Sequence, residues 1–493
     1  MVEYSIDDAL NIIGFGRLQY LVFFGCFTQQ MFISNEQFGI SLVIVAASCD
    51  YYVDEHRMSW LMVATFAAQA CSSHFMGYQA DKIGRRKLML IASMSCMTAS
   101  FISSLMPEFW SFLVMRFVMG IFVPGPGMAV LTYLSEFTKF SLRPKVINFL
   151  YYAIGVSLMY MAAWAVLMLP LDIRVKVHKN YAITSWRILM WLQLVPGIVS
   201  CIILSCTPES PKYYLSVGKP DKAYAVLEKC CRSSKGKDVT LKSLGIDSLK
   251  PPETVALETT KTGCARIWEE TKPIFTPPIL KPMMLITFTL FLLFGTGFGL
   301  TVWIPRAVKM GNDLHKDLIL CDMIDEAHRA NITFTESACH LSMRTLEASL
   351  YLGTCAILFS VLITLLFIWT HRQVILLLFA SFSVAGGLML NFVKLHELVI
   401  IGLVLLTVPA LCSIRLSLSV LIDAIPTHLR SKAVSLSTMF GRVGVLVASM
   451  YVGYTLSWNC FVTFNMFVLC MTAVILLVSF LPFDGKTGSR TVL

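Results

Sequence analysis

The chain has 493 residues, of which 56% are hydrophobic and 14% charged, with a mean hydropathy of +0.70. This balance excludes a water-exposed globule of that length and fits an integral membrane protein. A formal net charge of +10 does not imply nucleic acid as a partner, because the basic residues are scattered over connecting segments with no aromatic-lined basic domain.

The amino terminus, MVEYSIDDAL, is acidic and lacks a basic, apolar, cleavable pattern, so no removed leader is expected. Mainly apolar stretches follow at about 18–45, 57–79, 88–106, 109–134, 146–169, 186–206, 283–304, 346–369, 373–392, 398–420, 432–456 and 460–482. Each is long enough to cross roughly 30 Å of hydrocarbon as a helix. Lys and Arg favour the segments on the side of both termini, which places the termini in the cytoplasm; many of these residues lie in one long middle segment, 207–282. The orientation rule accounts for Lys82, Arg85, Arg86 and Lys87 in GYQADKIGRRK (77–87), but not for Gly77, Asp81 or Gly84.

Residues 207–282, rich in Lys, Ser and Pro, separate a six-helix unit at 1–206 from a second at 283–493. The halves also share sequence. SEFTKFSLR after helix 4 holds Glu136 and Arg143, and IDAIPTHLR after helix 10 holds Asp423 and Arg430 at the same separation. The same offset carries Gly84-Arg85 onto His371-Arg372 between helices 8 and 9, and two matches at one offset argue for duplication. In the outer segment at about 305–345, Cys321 and Cys339 flank the sequon NIT, so a disulfide between them and a glycan on Asn331 are expected. Most other cysteines lie in apolar spans and act as small hydrophobes.

The loop GYQADKIGRRK fits every fixed position of G-x-x-x-D-[RK]-x-G-R-[RK]-[RK], and on this motif the chain resembles the major facilitator superfamily over nearly its whole length. The resemblance implies an all-α membrane protein with twelve transmembrane helices in two pseudo-symmetric six-helix bundles. It also implies that Gly77, Asp81, Gly84, Arg85 and Arg86 form a latch, with Gly84 allowing a tight reversal and Asp81 pairing across the seam between halves. MRFVMG with Arg116, YLSEF with Glu136 and Arg143, SWR with Arg187 and PESPKYYL with Glu209 resemble sugar and organic ion porters. FGLTVWIP (298–305) is closer to the synaptic vesicle glycoprotein 2 family and its shorter relatives. Three features depart from the pattern: the outer segment is too short for a folded luminal domain, Ile368 and His371 stand where Asp81 and Gly84 would repeat, and LPFDGK only approximates the usual ending.

A charge near the bilayer centre costs roughly 3 kcal/mol on insertion scales, so each one needs a reason. Arg442 lies about ten residues into helix 11, roughly 15 Å deep. STMFGRVG resembles the corresponding stretch of organic anion transporters, which assigns Arg442 to a substrate carboxylate or sulfate, with pairing to Glu36 as the structural alternative. Glu36 in helix 1 either takes a proton or neutralises an arginine. By the resemblance Arg116 serves coupling or helix packing, and Arg415, near the cytoplasmic end of helix 10, reads as a snorkelling cation. Gln29, Gln30, Tyr151, Trp164, Trp303 and Tyr451 are candidate cavity-lining residues. GIFVPGPGM (120–128) suggests a kink or a close helix approach in helix 4.

There is no phosphate-binding loop, no His-Glu-x-x-His and no zinc-spaced cysteine set, so neither an enzyme nor an ATP-driven pump is expected. The expected protein is a monomeric, gradient-driven transporter of a small organic solute, an organic anion in preference to a sugar or cation, in a plasma or vesicle membrane. It alternates access, requires no cofactor beyond a coupling proton or other ion, and uses Glu136–Arg143 and Asp423–Arg430 as inner-gate pairs. The competing expectations are a non-transporting vesicle or receptor protein and a sugar facilitator.

Overall fold

A computed structural model describes residues 3–48, 50–51, 53–171, 173–178, 181–236, 238–246, 248–249, 271–277, 279–312, 318–329, 343–425 and 429–481. The first half contains helices α1 (Ile6–Ile13), α2 (Arg17–Ala47), α3 (Glu55–Ile83), α4 (Arg85–Ser104), α5 (Phe109–Phe122), α6 (Pro124–Phe137), α7 (Arg143–Met168), α8 (Ser185–Leu192) and α9 (Val195–Ser205). Short helices α10 (Pro211–Ser216) and α11 (Pro220–Lys235) belong to the middle segment. The second half contains α12 (Leu280–Phe294), α13 (Ile304–Asn312), α14 (Leu320–Arg329), α15 (Met343–Trp369), α16 (Arg372–Met389), α17 (His396–Ala424), α18 (Arg430–Thr455) and α19 (Cys460–Ser479).

Among the described residues, ten helices are long and apolar enough to cross a membrane, or eleven when the α1–α2 pair, bent by 111°, counts as one. The twelfth crossing is α3, 29 residues long. It carries Gln69, Ser72 and Ser73, and it buries them inside the protein instead of facing lipid. Three crossings are broken or distorted. The fourth restarts at Pro124 after Val123, with proline at a position that needs no backbone donor. The sixth is divided between α8 and α9, and the seventh continues from α12 as a π-helix at Gly295–Leu300.

Within the first half, α2 packs on α7 and α9, and α4 on α5 and α6. Within the second, α16 packs on α17 and α19, and α12 on α17 and α18. Two antiparallel pairs join the halves, α3 with α18 and α7 with α15. Glycine makes both pairs close: a Cβ on Gly353 would come within 2.7 Å of the Met159 backbone nitrogen, and one on Gly453 would collide with Ser59. The seam is mostly apolar, with Phe38 of α2 stacked on Phe298 at 4.8 Å. On the face opposite the 77–87 loop, Arg306 donates to Glu55 at 2.7 Å and so ties α13 to the start of α3.

The helical bundle carries two short strand pairs: Arg174–His178 and Tyr181–Thr184 form an antiparallel hairpin, and Glu3–Tyr4 pairs in parallel with Ser248–Leu249. The segment at about 305–345 contains α13 and α14. Cys321 is bonded to Cys460, not to Cys339, because α14 folds back against the first turn of α19 and brings the two Cα atoms to 5.3 Å. Cys339 and Asn331 lie outside the described residues.

Helix α1 is amphipathic. Ser5 caps it, accepting from the Asp8 N–H at 3.2 Å; it buries Ile6, Ala9, Leu10 and Ile13, and Gly14 ends it at φ 80°. Asp7 ties it down, accepting from Arg143 and Lys212, each at 2.8 Å. Burial alone would raise the Asp7 carboxyl, but Lys212 and Arg143 hold it below its ordinary value of 3.8. The contribution of this contact to stability is therefore complete above the ordinary carboxylate range and is lost as pH falls through the lowered value. Thermal unfolding below the ordinary value of 3.8 should show a fall in wild-type melting temperature that is shallower in Asp7→Asn. Non-reducing peptide mapping should recover the Cys321 peptide joined to the Cys460 peptide, and a Cys321–Cys339 link would contradict this fold.

Candidate functional site

Gly84 adopts φ 104°, a conformation that only glycine takes readily, and a Cβ there would meet Glu209 Oε2 at 2.5 Å. That space lets the Glu209 carboxylate cap α4, accepting from the N–H groups of Arg86 at 3.0 Å and Lys87 at 3.1 Å, where a negative charge is favoured. Arg86 in turn caps the end of α9, donating to the carbonyls of Leu204 and Ser205 at 2.7 Å. Arg85 lies between Asp81 at 3.0 Å and Glu136 at 3.4 Å, with its guanidinium over the Tyr213 ring at 5.7 Å. The stretch at 208–215 therefore wraps the loop.

The structure thus brings together Asp81, Gly84, Arg85, Arg86, Glu136 and Glu209, and among the described residues their partners belong to the first half or to the segment that follows it. Among the described residues Asp81 does not reach across the seam; its side chain, 62% exposed, pairs with Arg85 four residues along. Glu136 pairs with Arg85 instead of Arg143, which lies on the next helix and is taken by Asp7. At the seam itself Gly77 packs against Ser435, where a Cβ would lie 3.3 Å from the hydroxyl. In the repeat position His371 has φ −73°, so the second loop does not reproduce the turn at Gly84. The side chains of Asp423 and Arg430 are outside the described residues.

Deeper in the first half, Arg116 and Glu36 are fully buried and joined at 2.8 Å. Arg116 also donates to the Glu36 carbonyl at 2.9 Å, while Ser100 and Gln193 donate to Glu36 Oε1 at 2.7 and 3.1 Å. This network links α2, α4, α5 and the break between α8 and α9. Glu36 is therefore a neutralising partner, not a ligand-facing carboxylate, and it pairs with Arg116 instead of Arg442. Arg187 is held by the carbonyls of Ser104 and Met106 at the end of α4.

Two arginines of the second half differ. Arg442 is 8% exposed, and its guanidinium donates to the Ser73 hydroxyl of α3 across the seam. Gly127 of α6 faces it, since a Cβ there would lie 4.0 Å from Nη2. Arg415 is 9% exposed, its guanidinium lies 5.6 Å from the Tyr151 ring of α7, and none of its three side-chain nitrogens has an acceptor among the described residues. The buried carboxylates among the described residues are Glu36, Glu136 and Glu209, each already engaged as above. Among the described residues, both arginines therefore lie at the seam without a carboxylate.

The remaining candidates separate. Tyr151 faces Arg415. Gln29 bridges α2 to α9, accepting from Ser200 at 2.9 Å inside the first half, with Gln30 half-buried beside it. Tyr451 donates to the Val462 carbonyl at 3.2 Å and meets Phe467, so it packs α18 on α19 and does not face the seam. Trp164 lies against Tyr160, and Trp303 is buried with no acceptor for its indole N–H among the described residues. Sequence reasoning missed the π-helix, whose signal was present: Gly295, Gly297 and Gly299 let this segment approach α17 and α18, with a Cβ on Gly297 falling 2.9 Å from the Leu411 backbone. It also missed Ser73, which has no sequence pattern of its own.

The profile of the family described as "Sugar (and other) transporter" matches residues 27–298. Synaptic vesicle glycoprotein 2B of Rattus norvegicus is 25% identical over 356 residues, 68% of this chain and 52% of that protein. Synaptic vesicle glycoprotein 2C of Mus musculus is 25% identical over 355 residues, 67% of this chain and 48% of that protein. The chain thus spans about half the length of these relatives. Among solved structures, a partially occluded inward-open form of the E. coli xylose transporter XylE superposes with a TM-score of 0.67 at 12% identity, covering 94% of this chain and 100% of that one. An inward-open form of XylE gives 0.67 at 13% identity, covering 95% and 98%. At this identity the likeness establishes the fold alone, the twelve-helix major facilitator fold.

Removing one partner of a buried ion pair strands the other, at a cost of about 3 to 5 kcal/mol, whereas replacing both by apolar residues is often nearly neutral. Arg116→Met should therefore lower the unfolding midpoint of the detergent-purified protein sharply, and Glu36→Met with Arg116→Met should recover most of the loss. A double variant no better than the single one would show that the pair does not act as a unit.

Proposed function

This chain belongs to the sugar (and other) transporter family, and from that membership we propose that it is a gradient-driven transporter of a small organic anion. The observation that carries the anion is Arg442: a buried guanidinium at the seam, bonded to a neutral serine and to no carboxylate among the described residues. A cation kept at that depth costs free energy unless an anion reaches it, and a guanidinium fork suits a carboxylate or sulfate. Ser73 and Gly127 place it against the first half, so a bound anion would touch both halves as they rock.

In this reading residues 1–206 and 283–493 move as two bodies, hinged on the glycine contacts of α3 with α18 and α7 with α15. The Arg306–Glu55 pair closes the face opposite the 77–87 loop. Both termini are cytoplasmic, and the vesicle glycoproteins among the relatives favour a vesicle membrane over the plasma membrane. A sugar is disfavoured by the scarcity of amides: Asn148 on α7 is bound to Thr364 at 2.5 Å, and neither α12 nor α17 contains Asn or Gln. A non-transporting vesicle protein is the competing reading.

Uptake of labelled benzoate, glutarate and xylose into proteoliposomes tests these readings together. Wild type should accumulate an anion but not xylose, and Arg442→Ala should reduce anion uptake at least about tenfold, as expected when a charge-assisted hydrogen bond worth about 1.5 kcal/mol or more is lost. Xylose uptake without anion uptake would replace the anion by a sugar, and saturable anion binding without flux would replace transport by the non-transporting class.

A further inference from the structure

We infer that the transported solute is a dianion, with one acidic group at Arg442 and the second at Arg415 beside Tyr151; this rests on the anion reading above. Arg415 is nine-tenths buried, yet its Nε, Nη1 and Nη2 lack acceptors among the described residues. Its one described partner is the Tyr151 ring, 5.6 Å away on the other half. A ring face offers a cation some attraction but no hydrogen bond, so the donor fork remains available.

Snorkelling does not explain this arginine, since a snorkelling head reaches water and this one is buried. Helix packing does not require it either, because an apolar residue of similar length would fill the same volume without the desolvation cost of a lone charge. By contrast, the other buried cations described above, Arg116, Arg187 and Arg306, are each satisfied by a carboxylate or by backbone carbonyls.

The two guanidinium groups lie at similar depth. Arg415 is nine residues before Ala424, the end of α17, or about 14 Å along the helix. Arg442 is twelve residues after Arg430, the start of α18, or about 18 Å along. One short connection joins these helix ends, so both cations occupy the same layer of the bundle. Each faces the first half, Arg442 through Ser73 and Gly127 and Arg415 through Tyr151. The seam therefore carries two positive charges that no described carboxylate balances, and a solute with two acidic groups matches them in number. A small dicarboxylate, or a carboxylate paired with a sulfonate, has this chemistry.

Competition against the labelled anion tests the inference in wild-type proteoliposomes, with malonate, succinate, glutarate, adipate and pimelate set against acetate, butyrate and benzoate. Dicarboxylates should compete at least about tenfold better than monocarboxylates, with one chain length preferred. Arg415→Met should abolish that preference, weakening dicarboxylate competition at least about tenfold, and leave the melting temperature of the ligand-free protein unchanged or raised. Arg415→Lys should retain part of the preference.

Equal competition by both classes in wild type, or a dicarboxylate preference that survives Arg415→Met, would overturn the second anchor while leaving the Arg442 site standing. A fall in the ligand-free melting temperature of Arg415→Met with the preference intact would assign Arg415 to structure. Absence of competition by every anion, with uptake of xylose alone, would instead remove the anion reading itself.

Discussion

A guanidinium inside hydrocarbon has to find an anion, a set of carbonyl oxygens or water, and this constraint orders most of the polar architecture of the chain. The first half meets it internally. Arg116 is neutralised by Glu36 within a hydrogen-bonded cage that includes Ser100 and Gln193, and Arg187 is held by carbonyls at the end of α4. Once these bonds exist, the helices they join cannot slide without exposing a charge to lipid, so the network fixes α2, α4, α5 and the α8–α9 break relative to one another. The second half leaves Arg415 and Arg442 facing outward from its own packing, toward the seam.

The loop at 77–87 belongs to the same logic. Its charges are used within one half: Glu209 caps α4, Arg86 caps α9, and Arg85 bridges Asp81 and Glu136. The result is a rigid corner joining the second, third, fourth and sixth crossings to the start of the middle segment, with Gly77 in contact with the other half. Among the described residues no bond of this corner crosses the seam, and its contact there is the packing of Gly77 on Ser435. The opposite face closes with the Arg306–Glu55 ion pair. The Cys321–Cys460 bond is different again: it joins two elements of the second half, so it stiffens that body without tethering it to the first.

The sequence exposed the crossings because a water-soluble fold rarely needs apolar runs of membrane length. It exposed α3 as well, at 57–79, although that crossing buries Gln69, Ser72 and Ser73, but it could not show that Cys321 would find a partner 139 residues away. Spacing also misled at Glu136. The seven-residue interval to Arg143 suggested a pair, but an intervening turn sends Arg143 toward Asp7, while Arg85, remote in sequence, arrives from the adjacent loop. Arg442 was legible as a deep charge; Arg415 was not, because nearness to a helix end suggests water when the tertiary packing has excluded it.

The two halves thus differ in the use of charge. At the repeated turn the first half keeps Gly84 in a conformation that admits the Glu209 carboxylate, and the second half has His371 in ordinary extended backbone. A half whose charges are mutually satisfied gains rigidity and offers a charged ligand little; a half that leaves cations unpaired has the opposite character. Placed against each other across glycine-lined seams, they make an asymmetric pair. On the proposed reading the first half is the frame, presenting Ser73, Gly127 and Tyr151, and the second carries the charge that a solute completes. Binding energy would then be available only when both surfaces close on the same ligand, and this condition couples occupancy to the movement of one half over the other.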